Sequence, residues 1–311
     1  MYFPYLRGRQ FELIAIRELV EKSLINKNVM PIVEPVKLSS ALIKTLMSFR
    51  EKDRALGFVR NPQVGSLLKD LSDEKNEKDK DRFYELLNTS ETLTFLYADA
   101  KLPAHLSSIE SRGLKKQDIA TICINQDAIP YFKSAYGADS PRLNFIREKS
   151  VFRRQMPNQR VLFEDRFLKK KRNVAYLEQE DEPFTSDHLY YKSDGYLGFS
   201  DFSVVGDEFT ETGFAPYAVA IHIVYLATDQ TLRVRHFVSD TNDDITDPAG
   251  KFAEALEKLV NWNETHKLDT YGIKSFEEMY KSRSYPGLGI VKKLSIMHHL
   301  ELMSRYLDGV N

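Results

Sequence analysis

Eight short apolar runs, each closed by a polar or charged residue, dominate the first 203 positions of the chain. In the clearest one, residues 29–36, the carboxylate Glu34 follows an apolar stretch of strand length. The runs cover residues 3–9, 29–36, 56–61, 93–99, 120–127, 143–147, 161–165 and 196–201. Continuous apolar runs separated by helical segments are typical of buried parallel strands. Eight of them predict an α/β fold, a TIM-barrel-like (β/α)8 barrel.

The pattern changes after residue 203. Residues 217–227 and 231–238 read as two strands around the turn Asp229-Gln230, which predicts a β-hairpin. Asp247-Pro248 is a helix start, and a final helical region, 275–307, is broken near Pro286-Gly287. At 311 residues the chain is long enough for one large barrel or two ordinary domains. We expect a barrel-like domain over 1–205, with 206–311 forming the hairpin and a helical extension packed on the barrel.

Composition narrows the classes of protein. The net charge of −1 gives no overall signal for nucleic acid, although the basic cluster 169–172 leaves nucleic-acid binding as a third, weaker hypothesis. The single cysteine, Cys123, lies inside an apolar run, which indicates a buried thiol and a reducing compartment. No apolar run approaches the ~20 residues of a membrane span. These features predict a cytoplasmic protein with no membrane association.

The polar residues that close the runs are the candidate site, because the carboxyl ends of barrel strands meet at one mouth. The arginines of this set are expected to bind an anion, since the guanidinium fork suits phosphate; they are Arg7, Arg9, Arg60 and Arg147. Carboxylates are expected to act as catalytic acid or base, or to hold Mg²⁺ or Mn²⁺; they are Glu34, Asp165 and Asp201. The remaining strand-end residues are Asp99, Asn125, Asp127 and Glu164.

Two hypotheses of function follow from this mouth. The first is a metal-assisted hydrolase, for example a phosphodiester hydrolase, that acts on a phosphate-bearing small molecule or nucleotide. The second is a non-catalytic module that senses a nucleotide or binds a protein partner. A purely structural alternative is that the arginines neutralise the carboxylates around the rim. His222 lies within an apolar run and is expected to be a core histidine, and His236 lies in a strand that lines a basic surface or a solvent-facing edge.

Several enzyme classes are excluded by missing motifs. The sequence has no P-loop, Rossmann glycine fingerprint, nucleophile elbow or HExxH motif. This argues against an ordinary NTPase, a dinucleotide oxidoreductase, an α/β-hydrolase and a zincin. The pair His298-His299 has only Glu301 nearby, which argues against a zinc site.

The opening residues 2–13, YFPYLRGRQFEL, and the later MPIVEP of residues 30–35 resemble the beta protein family, which is named after a phage protein and has a bacterial branch. Members begin with a Tyr-x-Pro strand, a basic residue and a Glu-led helix, followed by a Pro-Ile-x-Glu-type strand. Residues 57–60 and 198–202 are also similar to that family. Arg7 stands where the phage-like members lead us to expect lysine. The resemblance implies a barrel-like bacterial or phage protein associated with anti-phage defence or mobile elements, and it assigns no catalytic residues.

Overall fold

The computed structural model describes residues 1–111, 113–210 and 217–309. By their internal contacts the residues fall into two units that alternate along the chain. The first unit comprises Met1–Arg9, Lys27–Asp165 and Asp187–Phe202. The second comprises Gln10–Asn26, Arg166–Ser186 and Ser203–Asn311. The division of domains at residue 205 stays a prediction.

Eight parallel strands build the first unit, and each pairs with its neighbour in chain order. They are β1 (Tyr5–Leu6), β2 (Ile32–Val33), β3 (Leu56–Val59), β4 (Thr92–Tyr97), β5 (Ala120–Cys123), β6 (Leu143–Ile146), β7 (Arg160–Phe163) and β9 (Gly198–Ser200), while β8 (Asp181–Thr185) belongs to the second unit. The first and last strands also join, because the Phe3 N–H donates to the Phe199 carbonyl at 2.9 Å and the Tyr5 N–H to the Asp201 carbonyl at 2.8 Å. The TIM-barrel-like fold predicted from the eight runs is therefore confirmed.

Alternate residues of these strands fill the barrel with one aromatic-rich core. Its members include Phe3, Tyr5, Ile32, Val59, Phe95, Ile122, Phe145, Phe163 and Phe202. The Phe145 ring packs edge-on against Phe95, with ring centroids 5.0 Å apart. Burial of each such ring contributes roughly 1.5–3 kcal/mol relative to exposure. Because side chains alternate along a strand, the residues that follow these core positions face the helices instead.

The helices of the first unit follow its strands. They are α2 (Ser40–Glu51), α3 (Leu67–Ser72), α4 (Glu77–Leu87), α5 (Leu102–Glu110), α6 (Ile129–Tyr136), α7 (Ser150–Gln155) and the short α8 (Asp187–Tyr190). The Ser39 hydroxyl caps α2 by accepting from the Leu42 N–H at 3.2 Å. The density of Lys, Asp and Glu over residues 71–82 is typical of a solvated loop, but the stretch is largely helical. Buried Phe83, Leu86 and Leu87 give α4 its apolar face.

The second unit combines an antiparallel sheet with four helices. The helices are α1 (Gln10–Glu21), α9 (Pro248–His266), α10 (Tyr271–Ser282) and α11 (Leu288–Leu307). The predicted hairpin is confirmed as β10 (Ala220–Leu226) and β11 (Leu232–Val238), and β8 adds to it as a third strand. The break near Pro286-Gly287 is confirmed between α10 and α11. The sequence analysis did not predict β8, whose residues DEPFT lack the apolar pattern of a strand.

Helix α1 packs on α11 within the second unit. The Lys293 ammonium lies 2.9 Å from both carboxylate oxygens of Glu18. Gly289 lets the Phe11 ring approach closely, because a Cβ at this position would lie 2.0 Å from Phe11 Cε2. Within the described ranges, no helix has both the length and the hydrophobicity that crossing a bilayer requires.

Candidate functional site at the barrel mouth

Glu34 is the centre of a buried hydrogen-bond network just beyond the end of β2. Its carboxylate is fully buried and pairs with the Arg7 guanidinium. It also accepts from the Tyr5 hydroxyl at 2.8 Å and from the Gln63 N–H at 2.6 Å. Tyr5 and Ile32 belong to the barrel core, so Arg7 and Glu34, two positions farther along, lie on the same inward face.

Tyr97 extends this network to β4. Its hydroxyl lies 2.8 Å from the Tyr5 hydroxyl, and since the Tyr5 proton goes to Glu34, Tyr97 is the donor. Burial, and then Tyr97 and Glu34, raise the pKa of Tyr5 well above its usual value. Burial lowers the pKa of Arg7, but Glu34 and the two tyrosines outweigh it and raise that pKa overall. Arg7 is therefore a cation and Tyr5 a neutral phenol at physiological pH.

Asn61 fixes the ends of β3 and β4 relative to each other. Its side-chain amide donates to the Tyr97 carbonyl at 3.1 Å and accepts from the Tyr97 N–H at 2.8 Å. The Gln63 amide in turn donates to the Asn61 carbonyl at 2.7 Å. These bonds hold Gln63 in place to donate its N–H to Glu34. Each oxygen of Glu34 thus has at least one hydrogen-bond donor.

A depression of about 360 Å³ opens at the carboxyl ends of β4 and β5. Its polar lining comprises Gln63, Tyr97, Asp99, Asn125, Asp127 and Tyr131. The structure therefore brings three of the predicted strand-end residues together. One oxygen of Asp99 accepts from the Lys101 N–H at 2.8 Å, and Asn125 accepts from the Asp127 N–H at 3.0 Å. Asn125 and Asp127 are exposed, and Tyr131 is 43% exposed.

Arg147 and Glu164 form a second ion pair at the ends of β6 and β7. The Arg147 guanidinium donates to Glu164 at 3.2 Å and to the Phe163 carbonyl at 3.2 Å, and it lies 5.5 Å from the Phe163 ring. The other oxygen of Glu164 accepts from the Glu148 N–H at 2.7 Å. This pairing agrees with the structural alternative, in which arginines and carboxylates around the rim neutralise one another.

Arg60 and Asp201 lie on the opposite faces of their strands from this network. Arg60 donates to the Leu87 carbonyl at 3.3 Å and to Asn88 at 3.2 Å, beside a separate cavity of about 520 Å³. The buried Asp201 carboxylate accepts from the Tyr2 hydroxyl at 2.7 Å. The two-residue period explains both placements, because core residues Val59 and Phe202 adjoin them. The structure does not join Arg60 or Asp201 to Glu34.

The remaining predicted residues are Arg9 and Asp165, which follow β1 and β7 and are partly buried. Neither lines the depression. Among the residues that the structure describes, no group of three or more His, Cys, Asp or Glu side chains could hold a metal ion. Glu34, Asp165 and Asp201 therefore do not fit the predicted Mg²⁺ or Mn²⁺ centre.

Sequence reasoning missed Tyr5, Asn61, Gln63 and Tyr97. Their signal was the two-residue period: Tyr5 shares a face with Arg7, and Tyr97 with Asp99. Asn61 was passed over for its neighbour Arg60, although Val59 sets the inward face. Comparisons of the chain with protein-family models, curated proteins and solved structures found no match.

Proposed function

We propose that the barrel is a binding module for a small, hydroxyl-rich molecule of nucleoside size, held in the depression between Asp99, Asn125 and Asp127. The observation that carries this proposal is the convergence of these three strand-end side chains on one concavity above a rigid polar floor. Its volume of about 360 Å³ is within the range of small-molecule sites.

The lining chemistry favours a neutral or cationic ligand. Carboxylates such as Asp99 and Asp127 accept hydrogen bonds from the hydroxyls of a sugar, and the Asn125 amide both donates and accepts. The exposed ring of Tyr131 offers a face on which a nucleobase can stack. Two carboxylates in one depression oppose a phosphate group by like-charge repulsion.

A binding role fits the floor better than acid–base catalysis does. The Glu34 carboxylate is neutralised by Arg7 and accepts two further hydrogen bonds, so its lone pairs are engaged. Arg147 is likewise committed to Glu164. The metal-assisted hydrolase that acts on a phosphate-bearing ligand at this mouth stays a prediction with less geometric support. A protein partner and a role in anti-phage defence also stay predictions.

Calorimetric titration tests this proposal with the four ribonucleosides, their 5′-monophosphates and the double variant Asp99→Asn/Asp127→Asn. We expect at least one nucleoside to bind more tightly than its monophosphate. The double variant should weaken that binding by about tenfold, since each lost charge-assisted hydrogen bond is worth roughly 1.5–3 kcal/mol before water compensates.

Asp81→Asn is the matched control, because Asp81 is an exposed carboxylate on α4 in the same unit. It should leave the nucleoside affinity unchanged. The proposal fails if no nucleoside binds, or if the monophosphates bind more tightly and the double variant strengthens them. Added Mg²⁺ or Mn²⁺ that raises the melting temperature would instead support the hydrolase prediction.

A further inference from the structure

The second unit contains a cavity of about 230 Å³ beside its edge strand β10. Two aromatic rings, Phe167 and Tyr176, form part of its wall. Three lysines line it as well: Lys169 and Lys170 from the segment after β7, and Lys292 from α11. The other polar lining residues are His222 of β10, Asn173 and Ser295. The cavity therefore combines cations with an imidazole.

His222 is the outer member of a chain of three hydrogen-bonded side chains. Its Nδ1 lies 2.8 Å from Nδ1 of His236, the residue opposite it on β11. Nε2 of His236 lies 3.2 Å from the Glu182 carboxylate on β8. Both inner members are buried, with His236 1% and Glu182 2% exposed. The chain thus spans all three strands of the sheet.

The carboxylate determines which ring nitrogen carries each proton. With the Glu182 carboxylate as the acceptor, His236 donates from Nε2 and its Nδ1 carries a lone pair. His222 must then donate from Nδ1, which leaves the lone pair of His222 on Nε2. Among the described residues, Nε2 of His222 makes no hydrogen bond. A proton acceptor is therefore built into the lining of the cavity.

Both imidazoles are held in the neutral form that this arrangement needs. Burial, and then His236 and Lys292, lower the pKa of His222 well below its usual value. Burial also lowers the pKa of His236, although Glu182 partly opposes this effect. Tyr176 packs against the two rings, with centroids 4.7 Å from His222 and 4.4 Å from His236.

Two of the three lysines have a carboxylate nearby. Lys169 pairs with the largely exposed Glu208 at 3.3 Å, and Lys292 lies 3.8 Å from the buried Glu12. Neither oxygen of Glu12 accepts a hydrogen bond. The Lys170 ammonium has no ion pair among the described residues. The Lys170 backbone N–H donates to the Tyr176 hydroxyl at 3.0 Å. Three ammonium groups thus line the cavity, and Lys170 is the one without a carboxylate partner among the described residues.

We propose that this cavity binds a small phosphate-bearing molecule, with the lysines facing the phosphate and Nε2 of His222 accepting a hydrogen bond from its P–OH group. A phosphate near neutral pH exchanges between monoanion and dianion, since its second pKa is about 6. The monoanion supplies the proton that Nε2 accepts, and the lysines stabilise the negative charge that develops on the oxygen. A cavity of this volume admits a small ester and excludes a polymer. The site is independent of the ligand proposed for the barrel mouth.

The first experiment titrates the full-length protein with inorganic phosphate by calorimetry, with acetate as the carboxylate comparison. Lys170→Met should weaken phosphate binding about tenfold, which corresponds to about 1.4 kcal/mol. Lys78→Met removes one positive charge from an exposed position on α4 and should leave phosphate binding unchanged. Near neutral pH acetate is fully ionised and has no proton to donate to Nε2 of His222. It should therefore bind more weakly than phosphate.

The second experiment reads the histidines directly from ¹⁵N ring spectra of the wild-type protein, so it does not depend on a variant that folds. Without phosphate, His222 should be protonated at Nδ1 and unprotonated at Nε2. Added phosphate should raise the pKa of His222, because the bound anion stabilises the imidazolium. The titratable and charged groups around His222 in this measurement are His236, Glu182, Tyr176, Lys170, Lys169 with Glu208, and Lys292 with Glu12.

The His222→Gln variant removes the proton acceptor Nε2 and keeps the three lysines. It should still bind phosphate, but its affinity should lose the pH dependence of the wild-type protein between pH 6 and 8. The proposal is overturned if phosphate does not bind, if Lys78→Met weakens it as much as Lys170→Met does, or if His222 carries its proton on Nε2. Asp99→Asn/Asp127→Asn should leave phosphate binding intact, so failure here is distinguishable from failure of the barrel-mouth proposal.

Discussion

Single side chains at the barrel mouth are held in ion pairs that we expect to contribute to stability. The Arg7 side chain is only 12% exposed, so its charge depends on the Glu34 carboxylate for compensation. Loss of one member of a buried pair costs about 3–5 kcal/mol because the other charge stays buried and unpaired. This dependence can be measured on the two residues separately and together.

Glu34→Gln should lower the free energy of unfolding by about 3 kcal/mol, as measured by urea denaturation. Arg7→Met combined with Glu34→Gln should recover part of this loss, because the double variant buries no unpaired cation. Glu85→Gln removes a carboxylate from an exposed ion pair with Arg50 and Arg82 and should have no measurable effect. An unchanged stability of Glu34→Gln would contradict the role given to the network.

His298 should make the protein sensitive to acid. Burial, and then Arg305, lower its pKa to about 4, while its Nδ1 contacts the Thr270 hydroxyl and its Nε2 the Val224 carbonyl. The unfolded chain binds a proton near pH 6.5 and the folded chain only near pH 4, so stability is complete above 6.5 and decreases as pH falls towards 4. At pH 5 the loss from this residue is about 2 kcal/mol.

Urea denaturation at pH 7.5 and pH 5.0 measures this loss. His298→Gln should show a smaller difference between the two pH values than the wild-type protein, although it starts from a lower stability. The lowered pKa values of His222 and His236 also make the folded state less stable as the pH falls. Both residues remain in the variant, so part of the pH difference should persist. Equal pH differences in the two proteins would contradict the assignment to His298.

Whole strands and helices were more predictable from the sequence than single contacts. Each of the eight barrel strands matches an apolar run, with β4 and β7 beginning one residue earlier, because a strand buried on both faces has few polar positions. The strand β8 was not predicted, because three of its five residues are acidic or proline. Its acidic side chains are satisfied by partners distant in sequence, such as Arg233 for Asp181 and His236 for Glu182.

The candidate site was predictable only in part for a related reason. The sequence places Asp99, Asn125 and Asp127 at strand ends, and barrel geometry then brings them together. It does not state which residue of a strand-end pair faces inward. That choice depends on register, and a shift by one position moves every side chain to the other face. Arg60 and Asp201 were predicted to lie in the site, but both side chains lie on the other faces of their strands.

The barrel interior is closely packed around Gly57 of β3, and a substitution at this position tests that packing. A Cβ on Gly57 would lie 2.7 Å from Phe95 Cε2 and 2.9 Å from Ile32 Cγ1, which is closer than carbon atoms pack. Gly57→Ala should therefore lower the free energy of unfolding by about 1–3 kcal/mol. Phe95→Leu in the same chain should relieve part of this cost, so the two effects should not add. Strict additivity in denaturation experiments would contradict the close approach.

At the scale of the molecule, the two units cannot be separated by one cut in the chain. The second unit takes in Gln10–Asn26 and Arg166–Ser186, both of which lie between barrel strands in sequence. Helix α1 packs on α11, and β8 pairs with β11. Removal of the C-terminal segment would leave their apolar faces uncovered.

A fragment of residues 1–205 should therefore fail to unfold cooperatively. We expect its circular dichroism melt to lack the sharp transition of the full-length chain, and its exposed apolar surface to bind a hydrophobic dye. A soluble fragment with a cooperative transition would contradict this expectation and would show that residues 1–205 fold without the rest of the chain.

The hydrogen bonds that close the barrel have a consequence for biosynthesis. Tyr2 and Asp201, which join the first and last strands, are 199 positions apart. At about 5–20 residues per second, a ribosome needs roughly 10–40 s to make the last strand after the first. For that interval the nascent β1 edge has no neighbour on one side, and unpaired edges favour aggregation. We expect faster refolding of a circular permutant in which a linker joins Asn311 to Met1 and the chain opens between β4 and β5, because fewer residues then separate the last strand from the first.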